Sequence, residues 1–66
     1  MPKYNMTSKQ LIKLLRKNGF FFIRQSGSHA IFKNEVKKRK VTVPIHNKDI
    51  PTGTLHAILK DAGIKP

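Results

Sequence analysis

Apolar residues recur at helical spacing near each end of the chain and in short strand-like runs between. Leu11, Ile12, Leu14 and Leu15 form the first stripe, with Lys13, Arg16 and Lys17 on the complementary face. Thr7 and Gln10 have the spacing of a capping box, and Met6 and Leu11 are placed for a hydrophobic staple. Asn18-Gly19 offers a left-handed stop, so the pattern predicts a helix over 8–18. Phe20 to Gln25 (FFFIRQ) is aromatic and β-branched and reads as a strand. Ser26-Gly27-Ser28 is a turn, and residues 29–33 (HAIFK) are a second strand. A polar connection over 34–38 leads to a third strand over 39–44 (RKVTVP). There Val41 and Val43 alternate with Lys40, Thr42 and Pro44, the pattern of a sheet with one buried face. A loop over 45–50 follows, and Pro51 suits the first turn of a helix. Leu55, Ile58, Leu59 and Ala62 form the second stripe, which Gly63 closes.

The order is therefore helix, three strands, helix. Connections this short imply an antiparallel meander, and one buried sheet face requires both helices on that face. The expected fold is an α+β two-layer sandwich, α-β-β-β-α, in a single domain over 1–66 with residues 1–6 frayed. That order and length match the double-stranded-RNA-binding domain, a likeness of fold that says little about activity.

Charge adds a partner to this picture. Fourteen Lys/Arg against three Asp/Glu give a formal charge of +11. Self-repulsion of that size weakens a small fold, so a polyanionic partner is expected, nucleic acid first. An acidic protein or an anionic membrane surface is the lesser alternative. With no cysteine, neither a disulfide nor a thiolate zinc site is available, which also fits a reducing cytoplasm. The longest apolar runs are about four residues, and no charged-then-apolar leader opens the chain. A membrane span and a secretory signal are therefore not expected.

Glu35, Asp49 and Asp61 fall in separate elements, whereas a two-metal nuclease needs several carboxylates converging on its ions. His29, His46 and His56 lack the spacing of metal ligands. No metal and no other cofactor is expected. RNA can be cut without one, because its own 2′-hydroxyl can attack the adjacent phosphate when a general base takes the proton. Imidazole, with an unperturbed pKa of about 6.5, is the natural base near neutrality. Surrounding cations would bind the phosphate and stabilise the transition state. His29 is the best placed of the three histidines. If Ala30 and Phe32 face the helices, parity puts His29 and Ile31 on the open face of the sheet. Gly27 and Ser28 then leave room for a ribose-phosphate beside it. An ordinary exposed histidine at a hairpin is the competing reading.

Four stretches carry a resemblance over about residues 7–65: LIKLLRKNGF, RQSGSHAIFK, VTVPIHNKDI and GTLHAILKDAGI. In this order and spacing they resemble the HicA family of small toxins from bacterial type II toxin–antitoxin systems. The resemblance implies an mRNA-cleaving endoribonuclease with His29 as its catalytic residue. It also implies a HicB-like antitoxin that covers this histidine and neutralises the basic face. His46 matches a histidine often found after the V-P of the family. It would be a proton donor, a phosphate contact or simply a solvated loop residue, with Lys48 nearby. His56, beside the second stripe, reads as a partly exposed helix residue.

Among the cations, Lys37-Lys38-Arg39-Lys40 is either a solvated hairpin tip or a phosphate rail. Parity puts Lys33 on the His29 face, whereas the face of Arg24 depends on how the first strand registers. The free amides of Thr52, Gly53 and Thr54 at the start of the second helix could receive a phosphate or could simply be capped. Alternation forces at least one of Phe20, Phe21 and Phe22 onto the open face. There it would stack a base or help dock an antitoxin. Two rival classes remain: a non-catalytic RNA-binding module and a ribosome-associated basic protein.

Overall fold

The computed structural model describes residues 6–45 and 49–64. The elements are α1 (Ser8–Lys17), β1 (Phe21–Ser26), β2 (His29–Asn34), β3 (Arg39–Pro44) and α2 (Thr52–Ala62). The strands form one antiparallel sheet in the order β1-β2-β3. Leu11 and Leu15 of α1 and Leu55, Ile58, Leu59 and Ala62 of α2 share one core with Ala30, Phe32, Val41 and Val43 of the sheet. Both helices therefore cover the same sheet face, and the expected α+β sandwich is the observed one.

Local chemistry accounts for the boundaries. The Thr7 Oγ1 accepts from the Gln10 amide at 3.2 Å, and the Gln10 Oε1 accepts from the Thr7 amide at 3.0 Å. That reciprocal pair starts α1. At its end Gly19 adopts a φ of 89° while its amide and that of Phe20 donate to Arg16 and Leu15. Gly63, at φ 73°, closes α2 in the same way through Lys60 and Leu59. Both are Schellman stops, where a residue with a Cβ would be strained. Pro51 stands one residue before α2 rather than in its first turn. Of the segment 1–6, only Met6 is described. It packs against the core, and its carbonyl accepts from the Ile50 amide at 2.8 Å.

β1 departs most from expectation. It begins at Phe21, because Phe20 is buried as part of the turn out of α1. Every residue of β1 is exposed, since the helices pack chiefly over β3. Phe22 lies on the helix side against Phe32, ring edge to ring face at 5.7 Å between centroids, yet stays half exposed.

Asn34, read above as part of a polar connection, ends β2 and is buried. Its Nδ2 donates to the Asn18 carbonyl at 2.8 Å and its Oδ1 accepts from the Lys37 amide at 2.9 Å. One side chain thus ties the end of α1 to the β2–β3 turn. Alanine at this position is expected to cost about 1–3 kcal/mol, because two partners lose their hydrogen bonds in a partly buried setting. A urea titration followed by circular dichroism would show the midpoint fall. An unchanged midpoint would mean that water replaces both bonds.

Candidate RNA-cleavage site

His29 is the first residue of β2, directly after the two-residue turn Gly27-Ser28. Gly27 has a φ of 59°, and no other residue of this turn has a positive φ, as a type II′ hairpin requires. A Cβ on Gly27 would meet no atom within 4 Å, so the glycine is needed for its backbone angle rather than for clearance. The turn is fastened on both sides. Gln25 Nε2 donates to the Gly27 carbonyl at 3.0 Å, and the Ile45 amide donates to the Ser28 carbonyl at 2.7 Å. The second bond continues the β2–β3 ladder past His29, which pairs with Ser26 on one side and Pro44 on the other. The hairpin is thus a rigid mount for an exposed imidazole. Among the described residues, no side chain forms a hydrogen bond to its ring.

The open sheet face reads as three rows across the strands. Ser26, His29 and Pro44 form the first, and Arg24, Ile31 and Thr42 the second. Phe21, Lys33 and Lys40 form the third. Arg24 reaches this face through a β-bulge. Phe22 pairs with Phe32, but the next pair is Arg24 with Ile31, so Ile23 is the extra residue. In a regular ladder Arg24 would oppose Ala30 and point toward the helices. The bulge keeps Phe22 on the helix side and Arg24 on the side of His29.

Beside the first row lies a cleft of about 540 Å³ between β3 and α2. His29, Thr42 and Pro44 line one wall; Pro51, Gly53, Thr54, Ala57, Ile58 and Asp61 line the other. Arg39 Nη1 donates to the Asp61 carbonyl at 3.0 Å, which sets α2 antiparallel to β3. Gly53 and Thr54 therefore flank the His29–Pro44 end, and Asp61 the opposite end. Pro51 offers no side-chain cap, and the Leu55 amide is the first to bond the Pro51 carbonyl. The first-turn amides of α2 are thus left to solvent or to an anion at the mouth of the cleft.

Of the expected site residues, the structure brings together His29, Gly27, Ser28 and the start of α2, and adds Arg24 one row away. Lys33 shares the face but lies in the third row. Arg39, one of the four cations of the hairpin run, is committed to the end of α2 instead. His46 and Lys48 lie outside the described residues, as do residues 1–5. His56 is exposed on α2. Thr42 and Pro44 were not singled out above, although their alternation with Val41 and Val43 already put them opposite the core. Asp61 was missed too; its signal is the helical spacing it shares with Thr54 and Ala57. Among the described residues, no three of His, Cys, Asp and Glu gather as a metal would need. No described helix is long and apolar enough to cross a membrane.

These features define a small basic α+β domain that presents one histidine on an open, cationic sheet face. The family model described as the HicA toxin of bacterial toxin–antitoxin systems matches residues 8–64. The chain belongs to the HicA toxin family, and membership implies an antitoxin partner. No curated protein matches the sequence.

Proposed function

We propose that this toxin is a metal-independent endoribonuclease that cuts mRNA in the cytoplasm and stops translation and growth until a HicB-like antitoxin covers its active site. The observation that carries this reading is the mounting of His29. A rigid hairpin holds its imidazole on the open face, beside a cleft that the uncapped first turn of α2 also lines.

The imidazole of His29 takes the proton of a ribose 2′-hydroxyl. The 2′-oxygen attacks the adjacent phosphorus, and the bond from phosphorus to the 5′-oxygen breaks. The products are a 2′,3′-cyclic phosphate and a 5′-hydroxyl, with water or His46 supplying the proton to the leaving oxygen. Charge that develops on the phosphoryl oxygens meets the amides of Thr52, Gly53 and Thr54 and the guanidinium of Arg24. Glu35, Asp49 and Asp61 lie in separate segments and, among the described residues, belong to no cluster that could hold a metal ion, which supports a reaction run by imidazole rather than by bridged metal ions.

Purified toxin should therefore cut a labelled RNA at the same rate in EDTA as in magnesium. Loss of cleavage in EDTA with rescue by magnesium would overturn the mechanism. The helix–sheet order shared with double-stranded-RNA-binding domains favours one second reading, a module that binds RNA without cutting it. Binding with no cleavage under either condition would establish that alternative.

A further inference from the structure

The third row of the open face, Phe21, Lys33 and Lys40, has no part in the chemistry above. Its residues nonetheless form an arrangement that the fold does not favour by itself. Lys33 and Lys40 stand directly opposite one another on β2 and β3, a like-charge pair that costs stability. Lys38 enters the same neighbourhood at a left-handed φ of 55°, a conformation that glycine or asparagine adopts with less strain. Lys33, Lys38 and Lys40 line a recess of about 360 Å³. Its one acid, Glu35, makes an exposed contact to Lys33 at 3.7 Å, too weak to neutralise the cluster. On the other side of Lys33 in the row is Phe21, a residue 45% exposed on an edge strand.

The geometry points to a second nucleotide subsite here, in which Phe21 stacks a base and Lys33, Lys38 and Lys40 hold the neighbouring phosphate. Cations alone would suit any anion, including an acidic segment of a protein. An aromatic face set beside them suits a nucleotide, which presents both a π-surface and a charge. The row lies on the same face as His29, four residues along β2, a separation of roughly 13 Å at strand rise. A stacked strand advances about 3.4 Å per phosphate, so this span is about four nucleotides, and fewer if the strand is extended. Arg24 in the middle row lies between the two ends. The inference deepens the RNA-cleavage reading and takes from it the position of the scissile phosphate.

The test is fluorescence anisotropy with labelled oligonucleotides of two to eight residues whose riboses are 2′-O-methylated. Such probes have no free 2′-hydroxyl and cannot be cut by the proposed route. Affinity of the wild-type toxin should step up once the oligonucleotide spans both ends, at about three to five nucleotides. Phe21→Leu and Lys40→Gln should each weaken the longer probes roughly five- to tenfold. Both should leave the affinity for the 2′-O-methylated dinucleotide unchanged, and likewise the rate at which an unmodified dinucleotide is cut. A smooth length dependence, or variants that bind long probes like the wild type, would overturn the subsite. So would an acidic peptide that competes equally well against wild type and Phe21→Leu, which would mark the row as a protein-docking patch. Because the probes are not substrates, the step in affinity stands or falls whether or not His29 proves catalytic.

Discussion

Alanine in place of His29 is expected to abolish RNA cleavage and growth arrest while leaving the fold and most RNA binding in place. The side chain is exposed and lies outside the apolar core, so its removal should change stability by no more than about 0.5 kcal/mol. A general base contributes about 10²–10⁴-fold to rate, and no other described histidine lines this cleft to replace it. Binding draws instead on the many cations and on the free amides of α2, none of which the substitution touches. The informative measurement pairs a cleavage rate with an anisotropy titration on the same preparation. A variant that still cuts RNA and still arrests growth would remove His29 from the mechanism. A variant that neither cuts nor binds would make it a contact residue.

Phe32→Ala should produce the largest loss of stability. Phe32 is buried at the centre of the sheet, between the helices and the ring of Phe22. Truncating a buried phenylalanine costs about 3–5 kcal/mol. A domain of this length has about 3–10 kcal/mol to lose. The variant should therefore be largely unfolded, or close to it, at 25 °C, with its helical circular dichroism much reduced. Phe22→Ala is the control. That ring is half exposed and contributes about 1 kcal/mol through its edge contact, so the variant should stay folded. Similar urea midpoints for the two would mean that the helices do not define the core as described. Because a ligand that binds only the folded state stabilises it, RNA or the antitoxin should restore part of the lost signal in Phe32→Ala.

Much of this architecture was legible in the sequence because its determinants are local. Thr7 with Gln10 marks the start of α1, while Gly19 and Gly63 mark helix ends that need a positive φ. Val41 and Val43 alternate cleanly enough to define β3 and its buried face. The same parity put His29 and Lys33 on the open face. β1 was harder for a physical reason: Phe20, Phe21, Phe22 and Ile23 are consecutive apolar residues and carry no alternation to set a register. The bulge at Ile23, and with it the face of Arg24, is decided by pairing with β2. Asn34 looked like a loop residue because its two partners, Asn18 and Lys37, come from different elements. Arg39 looked like one more hairpin cation because its partner carbonyl is 22 residues away. The cleft itself depends on how α2 lies along β3. That bearing is fixed by packing and by the Arg39 contact, neither of which a linear pattern displays.

In the proposed reaction the RNA supplies its own nucleophile and His29 removes the proton. The most direct test is to identify the ends left at a mapped cleavage site, with EDTA present throughout. The expected ends are a 2′,3′-cyclic phosphate on one fragment and a 5′-hydroxyl on the other. A 5′-phosphate with a free 3′-hydroxyl would show that water attacked the phosphorus, and would contradict it.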